Sequence, residues 1–317
     1  IASFTGKSRL EIRKVNMITA AQIPYTMTVG GTIDSGDMPA LLDVATEKAD
    51  LASFVKRREV SLASGKLRGV GFGMYLEQCG GGTDSGIEIE FSENGHIFLH
   101  ASQQCNGQGH RTTLTQILSD RLSYDSEKIT VLQGDSARGL RGTTGGARMT
   151  AILGSATAEA AGKIIFAAKT FAAEFLAEAV ADVMFSDGVF IGRNTNSAIS
   201  LEELIKKLTV SGKPHRLNVA QSYETAGATY PYGCHVVEVE VDLQSCAVAI
   251  EKYIVVDDFG LVINPMMLSG QIHGGIAQGV GQALHENVVY DNDGQILSGS
   301  FLDYTMPRAD HFPHLEI

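Results

Sequence analysis

A weak internal repeat constrains this chain more than any single motif. Ile87, Ile89 and Phe91 alternate with Glu88 and Glu90, Asn94-Gly95 supplies a turn, and Ile97-Phe98-Leu99 returns, which reads as a hairpin. A glycine-rich loop from Gln104 to Gly109 then leads into a predicted helix with Leu114, Ile117, Leu118 and Leu122 on one face. The pattern recurs downstream. Val237, Val239 and Val241 alternate with Glu238, Glu240 and Asp242, the chain turns near Gln244-Ser245, and it returns through Val248 to Val256. After Asn264-Pro265 comes a second glycine-rich segment, Gly270 to Gly281, expected to be helical through Leu284. Two copies of hairpin, glycine loop and helix predict an α+β fold built from two related halves. Bare backbone at equivalent places in both halves has two readings, a ligand approached closely or helices packed tightly.

The expected organisation is a helical lead-in over residues 1–66, a first α+β half over 67–216 and a second over 217–317. Within the lead-in, Met38-Pro39 opens a helix with Leu41, Leu42, Val44 and Ala45 at helical spacing. It is expected to continue through Leu51 and Val55 and to close on Lys56, Arg57 and Arg58, where positive charge suits a helix C-terminus. Gly69, Gly71 and Gly73 alternate, but Met74 stands where a dinucleotide fingerprint needs its third glycine, so this stretch reads as a crowded strand.

Composition removes several function classes. With 25 Lys and Arg against 36 Asp and Glu, the net charge is −11, the wrong sign for neutralising phosphate backbones, and nucleic acid is excluded as an expected partner. Ala156 to Phe185 is apolar, yet Glu159, Lys163, Lys169, Glu174, Glu178 and Asp182 interrupt it too often for a bilayer span. Cys79, Cys105, Cys234 and Cys246 stand singly, with no C-x-x-C pattern, which points to a reducing, cytoplasmic setting and to no zinc or iron-sulfur site in this chain. His311 and His314 flank Pro313, where a helical ligand pair is improbable. The opening residues carry no initiator Met, basic n-region or apolar h-region, so there is no signal peptide to read, and the chain reads as excised from something longer. There is no nucleophile elbow, phosphate loop or H-E-x-x-H motif.

Two uncharged clusters remain. Around Gln103 to His110, glycines let backbone N–H groups approach a ligand, and the helix start offers unpaired donors suited to an anion, with Thr112 and Thr113 adding hydroxyls. Around Gly270 to Gln282, glycines spaced by four make one bare stripe, and Gln271 and Gln278, seven apart, share a face. Primary amides donate and accept, which suits a neutral heterocycle with mixed edges such as a pterin or nucleobase. For each glutamine alone, capping or packing is the simpler reading.

Taken in order, NGQGHRTTLTQILSDRLS (106–123), ITVLQGDS (129–136), TTGGAR (143–148), VVDDFGLVINPMMLSGQIHGGIAQGVGQALHE (255–286) and LDYTMPRADHFP (302–313) resemble the molybdenum-cofactor-binding subunit of the xanthine dehydrogenase and aldehyde oxidase family, including the carbon monoxide dehydrogenase large subunit. Upstream, IRKVNMI (12–18) and GDMPALLD (36–43) resemble the stretch joining the two halves of that subunit. The resemblance implies molybdenum held by molybdopterin, in bacteria often as the cytosine dinucleotide, with no protein ligand to the metal required. It implies amide contacts from Gln108 and Gln271 to the molybdenum centre and pterin. Gly107, Gly109, Gly145, Gly146, Ala147 and Arg148 would line the cofactor, with Gly270 beside Gln271. His110 and Thr112 would sit near the pyrophosphate. Gln108 and Gln271 are thereby expected to face one ligand.

The chain departs from the family pattern at Asn106 in the first motif, and at Ala147 and Met149 where two serines are common. Against what the resemblance implies, two hydroxyl hydrogen bonds to the cofactor region, each about 0.5–1.5 kcal/mol net, are not expected there. The family's catalytic base is a glutamate in a Gly-Glu motif; no Gly-Glu occurs in 1–317, so no catalytic residue is expected in this chain, and the base is expected beyond Ile317. Glu286 matches a structural position. The resemblance therefore implies part of the molybdenum subunit of a hydroxylase or dehydrogenase that oxidises an aldehyde or N-heterocycle with water-derived oxygen, inactive as this chain alone. Its implied partners are the N-terminal half of the subunit, iron-sulfur and FAD subunits or domains, and a small-molecule substrate. The alternative is a catalytically inactive cofactor-binding scaffold.

Overall fold

Both hairpins form, and each grows into a four-stranded sheet. In the computed structural model, which describes every residue except 82–84, the elements that matter in chain order are α1 (Met38–Lys48), α2 (Phe54–Ala63), β1 (Lys66–Leu76), β2 (Ser85–Phe91), β3 (Ile97–Ala101), α3 (His110–Leu122) and β4 (Ile129–Gln133). There follow α4 (Met149–Leu176), β5 (Val219–Tyr223), β6 (Tyr232–Asp242), β7 (Val248–Asp258), α5 (Pro265–Val280) and β8 (Leu315–Glu316). One sheet has the order β5-β2-β3-β4 and the other β8-β7-β6-β1. In each, the second hairpin strand is followed by a helix and then by a strand parallel to it, β4 along β3 and β8 along β7. An antiparallel strand flanks the first hairpin strand in both, β5 on β2 and β1 on β6. The repeat seen in sequence is thus a repeat of sheet topology.

The boundaries drawn from sequence do not follow the compact units, which are residues 1–77 with 230–317, and residues 78–229. β1, assigned to the first half, pairs along its whole length with β6 of the second. β5, assigned to the second half, pairs with β2 of the first. Alternating residues show that a strand exists but not which ladder takes it, so a boundary drawn from local pattern misplaces both. The helical lead-in is likewise no separate segment: Leu41, Leu42 and Ala45 of α1 share a core with Cys234, Val236 and Ile254 on one face of β6 and β7. The opposite face of that hairpin buries Ile250, Tyr253 and Val255 against Ile276 and Val280 of α5.

The helix opening at Met38 forms with Asp37 as its cap, the Asp37 carboxylate accepting from the Ala40 N–H at 3.1 Å. It ends sooner than expected. Asp50 adopts a left-handed backbone (φ 49°), and after a short 3-10 turn α2 begins at Phe54. Lys56, Arg57 and Arg58 therefore stand near the start of a helix, not at its end, and Val44 and Val55 point to solvent. The glycines of β1 are in a strand but not a crowded one: a Cβ on Gly71 would meet nothing within 4 Å, because β1 is the outer strand of its sheet.

In the 78–229 unit, α4 runs through the core with Ala156, Ala160, Ala161, Ala168, Ala172 and Ala173 buried, small side chains that let it lie close to α3 and β2. A Cβ on Gly154 would come 3.1 Å from Ile117 Cδ1, so the two helices approach closely there. This helix is long and apolar enough to cross a membrane by length and composition, but half of its most apolar stretch is buried within the protein.

Glu238 and Glu240 of β6 are buried, at 1% and 7% exposure. Arg68, opposite Glu240 in the ladder, donates to Glu238 (2.9 Å), Glu240 (2.8 Å) and the Ser61 hydroxyl (2.9 Å). Arg57 also clamps Glu238, and Lys66 donates to Glu240 at 2.7 Å. The hydrogen bonds from Lys66, Ser61 and Arg68 outweigh the opposing effect of burial and draw the Glu240 carboxyl from 4.5 down to about 2. A carboxyl lowered on folding contributes stability that is present above its unfolded value and lost as pH falls through the folded one. Urea unfolding at a series of pH values is expected to show stability declining between about pH 4.5 and 2, with a flatter decline in Glu240→Gln; identical slopes in the two proteins would contradict the assignment.

Candidate cofactor site

The loop that precedes α3 is shaped by glycines. Gly107 (φ 108°) and Gly109 (φ 75°) hold backbone that side chains rarely adopt, and a Cβ on Gly107 would meet nothing within 4 Å. Gly109 caps α3 without any side-chain bond. Gln108 is half-buried and turns its carbonyl inward, Oε1 accepting from the Asn106 N–H at 2.6 Å and from the Cys105 thiol at 3.5 Å. That leaves the amide NH2 as the end available to a ligand. Thr112 lies exposed in the first turn of α3. His110 is 4% exposed; burial pushes its imidazole down toward the neutral form, and its Nδ1 is buried without a hydrogen-bond partner among the described residues. Burial thus favours the uncharged ring, which offers a ligand a hydrogen-bonding nitrogen more than a positive charge.

The segment 143–148 comes to this loop. Thr144 Oγ1 donates to the Gln104 carbonyl at 3.0 Å, tying the two together. Gly142 approaches Gln103 so closely that a Cβ would lie 2.2 Å from its Nε2. Gly145 is exposed, with open space where a Cβ would stand, and its carbonyl accepts from Arg148 Nε at 2.7 Å. Gly146 (φ 58°) and Ala147 (φ 50°) both take the left-handed backbone, which is strained for the alanine, and α4 starts at the next residue but one. Gln103, by contrast, is a packing residue: it is buried and bonded to Ser85 and Ser102.

Gly270 and Gln271 lie in the second turn of α5, in the other compact unit. Asn264 caps this helix, its Oδ1 accepting from the Met267 N–H at 3.0 Å, and Pro265 starts it. Only Ile276 and Val280 of α5 are buried. Gln271 and Gln278 are exposed, and a Cβ on Gly270, Gly274, Gly275 or Gly279 would meet nothing within 4 Å, so among the described residues the glycine stripe is not explained by helix packing. Glu286, just after the helix, accepts from the Tyr304 hydroxyl at 3.0 Å, in keeping with a structural role.

Cys105 is the residue that sequence reasoning passes over. Burial raises its thiol, but the backbone N–H groups of His110, Gly107, Gly109 and Gln108 outweigh that and hold it below the ordinary range. Its position in a glycine loop at a helix start was the available signal.

Among the described residues, no group of three or more His, Cys, Asp or Glu side chains converges to hold a metal ion. The loops offer backbone N–H groups, primary amides, open space above glycines and one buried unpartnered imidazole nitrogen. That donor set fits an uncharged heterocycle carrying its own metal better than a bare ion.

The comparisons agree with this chemistry. A family model for the molybdopterin cofactor-binding domain matches residues 44–313, and the chain belongs to that family. It is 30% identical to the nicotine 6-hydroxylase large subunit of Paenarthrobacter nicotinovorans, over 98% of this chain and 40% of that protein. It is 29% identical to the carbon monoxide dehydrogenase large chain of Hydrogenophaga pseudoflava, over 100% and 42%. Among solved structures, reconstituted CO dehydrogenase from Oligotropha carboxidovorans superposes with a TM-score of 0.89 at 26% identity, and quinoline 2-oxidoreductase from Pseudomonas putida 86 with 0.88 at 26%. Each of those matches covers 99% of this chain and 42% of the other. The chain thus spans about two fifths of the length of these relatives.

Proposed function

We propose that this chain forms part of the molybdenum subunit of a molybdopterin-dependent hydroxylase or dehydrogenase, acting on an aldehyde or N-heterocycle with water-derived oxygen. The observation that carries the reading is the pairing of the 104–110 loop with 143–148 through Thr144 and Gln104, which sets the Gln108 amide, two open glycine positions and the orphan His110 nitrogen on one unit. In this reading Gly107, Gln108, Gly109, Gly145, Gly146, Ala147 and Arg148 hold the cofactor, Thr112 and His110 stand near its phosphates, and Gly270 and Gln271 add contacts from α5. The cofactor, in its cytosine dinucleotide form, supplies the two-electron oxidation when bound. This chain's residues bind and orient it through amides and backbone donors. The N-heterocyclic choice draws support from relatives named for nicotine and quinoline. Iron-sulfur and FAD subunits, the remaining half of the molybdenum subunit and a cytoplasmic setting complete the proposal.

The test compares two glutamines in the holoenzyme. Gln108→Ala is expected to lower the molybdenum-to-protein ratio well below that of Gln116→Ala, because Gln108 lies in the loop while Gln116 sits on the body of α3. Equal metal and pterin content in the two variants would remove the cofactor assignment of the loop.

A further inference from the structure

The β7 strand ends in two adjacent aspartates, each fastened on a different face of its sheet. Asp258 accepts from the Tyr232 hydroxyl at 3.0 Å and, through Oδ1, from the Gly260 N–H at 2.9 Å; Tyr232 in turn accepts from the Asp37 N–H at 2.8 Å. Asp257 is held differently. In the ladder, Tyr75 of β1, Gly233 of β6 and Asp257 of β7 lie in one row across three strands. The Asp257 carboxylate spans the middle position to reach the Tyr75 hydroxyl, which donates to it at 3.0 Å. It can do so only because residue 233 is glycine: a Cβ there would lie 1.7 Å from Asp257 Oδ1 and 2.5 Å from Tyr75 Cε1. His235, one row along, brings Nε2 to 3.7 Å from Asp257 Oδ1 and shares its Nδ1 with the Tyr253 hydroxyl at 3.1 Å. The Asp257 side chain is 5% exposed. Burial pushes its carboxyl up and the His235 imidazole down, both toward uncharged forms, so the hold on Asp257 is the Tyr75 hydrogen bond, with His235 beside it and beyond hydrogen-bonding distance.

The chain leaves this point for α5 within six residues, from Asp258 to the Asn264 cap. A buried carboxyl group is a costly way to finish a strand, charged or not, because its oxygens leave water; an apolar side chain would fill the row without that desolvation. We propose that Asp257, laid across the bare Gly233 and fastened by the Tyr75 hydroxyl, is a positioning residue that fixes where the strand releases the chain into α5 and so where Gln271 stands. The clamp acts with Asp258, which pins the other face, and together they leave the connecting loop little freedom at its origin. The link to the cofactor rests on the reading of α5 given above, whereas the effect on the helix itself does not.

The test uses the holoenzyme with Tyr75→Phe, Asp257→Ala and Asp257→Asn. Phenylalanine keeps the ring and removes only the hydroxyl, and asparagine keeps an acceptor for Tyr75 in the same shape. Amide hydrogen exchange over 259–271 is expected to quicken roughly tenfold in Tyr75→Phe and Asp257→Ala, the factor one lost hydrogen bond to a buried group corresponds to, with Asp257→Asn close to the parent. The molybdenum-to-protein ratio should fall in the same two variants and be retained in the third. Quickening spread evenly over β6 and β7, or none at 259–271, would overturn the positioning role. So would a loosened α5 with undiminished molybdenum, provided Gln271→Ala itself lowers the metal. If Gln271→Ala leaves the metal unchanged, the cofactor reading of α5 fails, and the exchange data alone still decide whether Asp257 positions the helix.

Discussion

Arg68→Ala is expected to destabilise the protein by about 3–5 kcal/mol. Two carboxylates on β6, Glu238 and Glu240, are almost fully buried, and among the described residues Arg68 is the one that bonds both. Removing it leaves each carboxylate with fewer donors: Arg57 still serves Glu238, and Lys66 with Ser61 still serves Glu240. The cost is that of buried charge left short of partners, not of one exposed ion pair, which would contribute about 0–1 kcal/mol. Against a total of roughly 5–15 kcal/mol for a folded domain, the loss is large. Lys128→Ala serves as the control, since its pair with Glu202 is solvent-exposed on both sides. Urea denaturation followed by circular dichroism measures both; similar midpoints for the two variants would show that the buried cluster is not a unit.

Leu118→Ala is expected to cost about 2–5 kcal/mol. Leu118 is fully buried and, with Leu114 and Leu122, forms the inner face of α3 in the core shared with Leu153 and Ala156 of α4. Since α4 presents alanines and a glycine to α3, it has few flexible groups able to close the cavity, which argues for the upper part of the range. Because α3 begins at His110, where the candidate cofactor loop ends, the same packing that stabilises the 78–229 unit also holds that loop's exit. Leu132→Ala, at a position 40% exposed, should change stability by less than about 0.5 kcal/mol. A Leu118 variant as stable as the Leu132 variant would contradict the core assignment.

The elements legible in the sequence were those whose pattern is local. Both hairpins, the helices at 110–122 and 265–280, and the cap at Asn264-Pro265 follow from alternation, helical spacing and turn chemistry. What was hidden depends on partners distant in sequence. The alternation of Val237 and Val239 with Glu238 and Glu240 says nothing about which face is buried, and here the glutamates are the more buried set while the valines are half-buried, because Arg57, Arg68 and Lys66 come from far upstream to meet the carboxylates. The break at Asp50 was hidden because the apolar spacing of 38–55 continues through it. In the candidate site, glycines and amides marked the loops, but the buried state of His110 and the backbone grip on Cys105 arise from how the loop folds over its own amides, which spacing does not encode. Among the described residues, 104–110 is tied to 143–148 by one hydroxyl, Thr144 to Gln104, and the flanking Gly142 packs on Gln103; neither contact has a sequence signature.

The most direct test of the account is a crystal structure of the holoenzyme with data collected at the molybdenum absorption edge, which locates the metal by its anomalous signal and the pterin by its density. On the proposed function, the cofactor is expected at the Gln108 amide and the backbone of Gly145 and Gly146, with contact to Gln271 read separately. A cofactor bound away from all of these, with the 104–110 loop and α5 both facing protein or solvent, would contradict it.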